Sequence, residues 1–129
     1  MANSSIKFVN TRHEQIAAHI ADGYARARGG KASVMLSHCG PGLTNAATGV
    51  ATAQSDSIPM VVIAGDIPTH MYGRHPHQEI NLHADAQQYE IYRPFVKRAW
   101  RVDRADKFPS ILEKAFQLAE AGRPGPVLI

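Results

Sequence analysis

The chain is poor in several things that would have narrowed its function at once. It has a single cysteine, Cys39, among 129 residues, so no internal disulfide can form, which fits a reducing compartment. No apolar run approaches the length needed to cross a bilayer, the longest being Ile58 to Gly65. Met1 to Asn10 lacks the extended apolar centre of a signal peptide. Nor is there a basic run with interleaved aromatics: 14 Lys and Arg are scattered among 11 Asp and Glu, for a net charge of +3. Nucleic acid and membrane are therefore unsupported as partners, and a cytoplasmic protein is expected. Repeats and low-complexity segments are also absent.

What is present is the composition of one ordinary globular domain, 44% hydrophobic and 19% charged. Strands and helices alternate along it. Ile6 to Val9 reads as a short strand. A helix follows from His13 to about Arg28, with Ile16, Ile20, Gly23, Tyr24 and Ala27 on one face and Gln15, His19, Asp22 and Arg26 opposite. Gly29-Gly30 ends it. Ser33 to Leu36 is a second strand, and Leu43 to about Ser55 a helix rich in small residues, suited to close approach. Pro59 to Ala64 is an apolar run typical of a central parallel strand covered on both faces.

Asp66 to Asn81 reads as a surface loop, Ala84 to Tyr92 as a short helix and Phe95 to Val102 as a strand. Phe108, Ile111, Leu112, Ala115, Phe116 and Ala119 mark an amphipathic helix with Asp103 as its N-cap. Gly122 ends that helix, and Pro126 to Ile129 begins a last strand. The order predicts an α/β fold: a doubly wound, mostly parallel sheet with helices on both faces in three layers. Ligands bind such sheets at the carboxyl ends of strands, where Glu14, Gly40 and Gly65 would share one edge. A buried sheet rarely starts and stops so abruptly, so residues 1–129 are expected to be one incomplete domain, truncated at both ends.

The candidate motifs each have a plain alternative. Glu14 stands where strand becomes helix, a place for proton chemistry on a bound heterocycle. Thr11-x-x-Glu14 equally fits a capping box. Gly40-Pro41-Gly42 lets a ligand approach the backbone, or is only a tight turn. The dinucleotide pattern fails because Asn45 occupies the third glycine's place, and no P-loop lysine is present. Cys39, next to His38 at a strand-to-helix turn, is either a nucleophile of a flavodoxin-like hydrolase or a small space-filling residue. His70, His75, His77 and His83 match no metal-ligand spacing, so no metal site is expected. Lys97 and Arg98 could be solvated charges.

Arg12-His13-Glu14-Gln15 and Ala18 to Arg26 resemble the amino-terminal pyrimidine-binding domain of thiamine diphosphate-dependent enzymes, closest to the acetolactate synthase-like group. The resemblance continues through Gly40 to Asn45, Asp56 to Val61, Gln78-Glu79, Arg93-Pro94, Lys97 and Gly122 to Val127. It implies that Glu14 hydrogen-bonds N1′ of the cofactor's aminopyrimidine and moves a proton there, activating thiazolium C2 for attack on a 2-oxo acid. Carbon dioxide then leaves, and the carbanion is transferred or ligated. It further implies that Gly40, Pro41, Gly42 and Asn45 lie against the pyrimidine, with Gln78 and Lys97 toward the substrate.

Two departures stand out. His77-Gln78-Glu79 replaces the usual Phe-Gln-Glu, with a few extra residues around Leu82 to Gln87. His38 replaces a small hydroxyl residue and is reminiscent of benzoylformate decarboxylases, which makes a 2-oxo acid decarboxylase with histidine proton relays the alternative. A non-catalytic binding module on the same fold is another. The resemblance also implies an earlier strand and helix, and later domains that carry Mg2+, the diphosphate and sometimes FAD. The cofactor would lie against the diphosphate domain of a second subunit in a homodimer or homotetramer. The isolated chain is expected to be inactive.

Overall fold

Three parallel strands carry the molecule, and the hydrophobic pattern explains their order. In the computed structural model, which describes residues 4–80 and 87–129, β1 (Ser33–Ser37), β2 (Met60–Ala64) and β3 (Pro126–Leu128) pair side by side. Ser33 is opposite Met60, and Met60 is opposite Pro126. β2 lies in the middle, and its Met60, Val61 and Val62 are fully buried. That is the double-sided burial expected of its uninterrupted apolar run.

Residues alternate between two cores. Met35, Met60, Val62 and Leu128 pack on one side with Ala18, Leu43, Ala46 and Val50 of α1 (Glu14–Ala27) and α2 (Pro41–Ser55). Val61, Val127 and Ile129 pack on the other with Ala115 and Ala119 of α3 (Phe108–Glu120). Helices therefore cover both faces of a parallel sheet in the predicted three-layer α/β arrangement. Val34 and Leu36 of β1 lie beside Val61 and Ile63 on the α3 side, yet are 48% and 39% exposed. Among the described residues α3 covers β2 and β3 but does not reach β1.

Several local expectations need correction. Ile6 to Val9 forms no strand: Ile6, Phe8 and Val9 are exposed and unpaired in any ladder. The buried face of α1 is Ala18, Ala21, Asp22 and Ala25, whereas Ile16, Ile20 and Tyr24 face outward at about half exposure. Packing distance decides this. A Cβ added to Gly49 of α2 would lie 2.5 Å from the Cβ of Ala18, so only small side chains fit between the two helices. Asp22, on the inward face, holds Arg26 at 2.9 Å, and Arg26 reaches Asp56 past the end of α2.

The region after β2 is less regular than predicted. The helix placed at Ala84 to Tyr92 lies partly outside the described residues, and Gln88–Phe95 is a 3-10 helix. Its Tyr92 is fully buried and donates to the carbonyl of Leu43 at 2.5 Å; burial raises its pKa. Phe95 to Val102 is not a regular strand. It runs along β3 with a single bridge, Ala99 to Leu128, and bonds such as Trp100 N–H to Leu128 O. The N-cap of α3 is Lys107 rather than Asp103, because a 3-10 turn, Ala105–Lys107, precedes it. Asp103 instead meets Arg101 at 3.1 Å. No helix among the described residues is long and apolar enough to cross a membrane.

Candidate functional site

The first turns of α1 and α2 meet at the carboxyl end of β1. Glu14 is the first residue of α1, and His13 is its N-cap, accepting from the Gln15 N–H through Nδ1 at 3.2 Å. Thr11 spends its hydroxyl on the carbonyl of His13, so the reciprocal capping box does not form. That frees the Glu14 side chain. Its Oε2 accepts from Asn45 Nδ2 at 3.1 Å, across to the first turn of α2.

This bond sets the electrostatics. The Asn45 amide, then the backbone N–H of Glu14 itself, hold the Glu14 carboxyl below the ordinary value, and the charges of His13 and His38 add to the effect. Glu14 is half-buried and Asn45 exposed, so the carboxylate faces outward from the rim.

The turn beside it is shaped by absent side chains. Gly40, the N-cap of α2, has φ 55° and ψ −111°, a conformation hostile to L residues. A Cβ there would also lie 2.0 Å from the carbonyl oxygen of Gln78. Pro41 opens the helix at its first position, where a missing N–H costs nothing. A Cβ on Gly42 would lie 2.8 Å from Ser37 Oγ, 3.0 Å from His38 Cβ and 3.7 Å from Glu14 Oε1. Glu14, Ser37, His38 and Asn45 thus gather around the tightly packed Gly42 at one edge of the sheet. The cluster presents one carboxylate and the side-chain-free backbone of Gly40 and Gly42 at the same edge.

The remaining predicted residues divide. Gln78 reaches the site through its backbone, in a positive-φ conformation behind Gly40. His38 is exposed at the rim. Lys97 lies elsewhere: its Nζ donates to the carbonyls of Leu118 and Ala121 at 2.5 and 2.7 Å, closing the carboxyl end of α3. Its backbone N–H binds Pro126 O at the start of β3, so the structure does not bring it to Glu14. Arg98 stacks over Trp100. Cys39 is buried, and burial, then Asp66, push its thiol pKa up, which disfavours a thiolate nucleophile. Among the described residues no group of three or more His, Cys, Asp or Glu could hold a metal; His83 lies outside them.

Sequence reading missed Gln88. It is 8% exposed, accepting from the Gly40 N–H and donating to the Gly65 carbonyl, both at 2.9 Å. A glutamine in a polar stretch carries no periodic signal, and only the tertiary fold reveals it. A cavity of about 450 Å³ opens beyond Gln88, lined by Ile63, Asp66, Trp100, Arg101 and Phe108; Glu14 is not in its wall.

Comparison with known proteins bears on this geometry. The model of the thiamine pyrophosphate enzyme family, N-terminal TPP binding domain, matches residues 1–88. The acetolactate synthase large subunit of Buchnera aphidicola subsp. Schizaphis graminum (strain Sg) is 48% identical over 124 residues, 96% of this chain and 20% of its own length. The acetolactate synthase isozyme 3 large subunit of Escherichia coli (strain K12) is 47% identical with the same coverage. The probable acetolactate synthase large subunit of Methanococcus aeolicus is 46% identical over 127 residues, covering 98% of this chain and 20% of the relative. The chain thus spans about a fifth of the length of these relatives.

Proposed function

Since the chain belongs to the thiamine pyrophosphate enzymes, through their N-terminal TPP binding domain, we propose that it forms the pyrimidine half of a thiamine diphosphate site in an acetolactate synthase-like enzyme. The observation that carries this is the placement of Glu14 beside the glycine turn at the carboxyl end of β1. Glu14 stands with one oxygen held by Asn45 and the other facing the bare backbone of Gly42. When bound, the cofactor supplies stabilisation of the carbanion left by decarboxylation of a 2-oxo acid.

The protein's own part is positioning and one proton. Glu14 hydrogen-bonds N1′ of the aminopyrimidine through the oxygen that Asn45 leaves free. Its lowered pKa favours the ionised carboxylate, which would accept from N1′–H and so hold on that nitrogen a proton taken up from solvent. Asn45 fixes the carboxylate in place. Gly40, Pro41 and Gly42 form the turn on which the ring rests, and the two glycines let that turn pack directly on Gln78, Ser37 and His38, where a side chain would push it out of place. Gln78 supports the turn from behind. Lys97 is assigned to the end of α3. The diphosphate and Mg2+ belong to a separate diphosphate-binding domain, contributed by a second subunit of a homodimer or homotetramer. Alone, this domain is catalytically inert.

The test is hydrogen–deuterium exchange at the cofactor's C2 in the whole protein. Glu14→Gln should slow it by about 10²- to 10⁴-fold, the usual range for losing a positioned acid–base group. Exchange at the wild-type rate would remove Glu14 from the role. His38 supports a second reading, since it stands exposed beside Gly42 and contributes to the low pKa of Glu14. A benzoylformate decarboxylase-like enzyme would release an aldehyde where a synthase forms an acyloin, so product analysis separates the two.

A further inference from the structure

We infer that Gln88 is a positioning residue for the cofactor turn, acting as a side-chain rung that continues the sheet's hydrogen bonding past the point where β1 and β2 part. The inference rests on the reading of the Gly40 turn as a pyrimidine platform. The last direct rung between the strands is the Gly65 N–H to the Ser37 carbonyl, 2.9 Å. Beyond it the chains diverge, one into Gly40 and α2, the other into Gly65 and Asp66. The Gly40 N–H and the Gly65 carbonyl are left facing the gap.

A primary amide offers one donor and one acceptor in nearly the arrangement of a peptide group. Gln88 inserts one there, with Oε1 on the Gly40 N–H and Nε2 on the Gly65 carbonyl. Three consequences follow. The Gly40 N–H is occupied within the protein, so the turn meets a ligand with its open face and not with that amide. The turn is clamped on two sides, by Gln88 and by the Gln78 carbonyl that leaves no room for a Cβ on Gly40. Finally, the segment carrying Gln88 is anchored by Tyr92, whose hydroxyl reaches Leu43 in the same helix that Gly40 begins. The height of the platform relative to Glu14 is therefore set from the 3-10 helix.

Both halves of the amide are required, which makes the proposal specific to the residue. Gln88→Met keeps length and apolar contact but removes both bonds. Gln88→Glu keeps the acceptor for Gly40 and, when ionised, lacks the donor for Gly65. The experiment uses the whole protein with thiamine diphosphate and follows two quantities. One is amide hydrogen exchange, by mass spectrometry, in the peptide that contains Gly40. The other is the first-order rate constant of C2 exchange per bound cofactor, which a smaller folded fraction does not alter. Gln88→Met should lose protection at Gly40 and slow C2 exchange on the order of tenfold, with Gln88→Glu between it and the wild type.

A Gln88→Met protein with wild-type protection at Gly40, or with a wild-type C2 rate constant, would overturn the assignment. Failure of the cofactor reading looks different. There Glu14→Gln would also leave C2 exchange untouched, while the Gly40 peptide would still report whether Gln88 holds the turn.

Discussion

At the scale of single residues, the site depends on where one amide side chain points. Asn45 is the largest cause of the low pKa of Glu14, so Asn45→Ala should move the Glu14 titration upward, toward an ordinary carboxyl. Carboxyl-carbon NMR across the acid range would show it, and an unmoved midpoint would mean that the backbone N–H and the histidines suffice. The same shift has a stability consequence. Because the folded pKa is depressed, this carboxylate's contribution is present above its unfolded pKa and fades as pH falls through the folded one. The turn at Gly40 to Gly42 was legible in the sequence because turn chemistry is local, whereas the Glu14–Asn45 bond spans 31 residues and was not. Lys97 was not: its motif position says nothing about the carbonyls of Leu118 and Ala121 that it serves. Gln88 was invisible for the same reason, since both its partners are more than 20 residues away.

Elements were read well where an apolar run met both sides of the sheet, and badly where two helices touch. In α1 the large residues mark the outer face and the alanines the inner one, opposite to a reading in which size signals burial. Helix propensity fails in the same place. Gly49→Ala would gain about 1 kcal/mol in an open helix, but its Cβ would sit 2.5 Å from that of Ala18. Net destabilisation of about 1–3 kcal/mol is expected from overpacking. Urea denaturation measures it, and a more stable variant would show that the helices separate freely. Phe95 to Val102 has the composition of a strand, yet it bonds to β3 in only a few places, a difference of register that composition cannot encode.

For the molecule as a whole, the doubly wound plan was legible from the alternation of elements, whereas its uncovered surfaces were not. Val34 and Leu36 on the sheet, with Ile16, Ile20 and Tyr24 on α1, leave apolar area in water, a composition that promotes association. The isolated 14.1 kDa chain should sediment as a concentration-dependent mixture, and Leu36→Lys should shift it toward monomer with little change in stability. An unchanged distribution would place the sticky surface elsewhere, with α1 the next to test. The packing of α1 on α2 also reaches the chemistry. Ala18 and Gly49, the pair in closest approach, each follow by four residues the pair that shares the site's hydrogen bond, Glu14 and Asn45. One helical turn, about 5.4 Å, separates the two contacts. The helices thus behave like the arms of a caliper pivoting on a single missing methyl group. A side chain grafted at position 49 is expected to open the jaws in which the carboxylate is held, so that the volume of a residue outside the site raises the proton affinity within it. Carboxyl-carbon NMR of Gly49→Ala would show that shift.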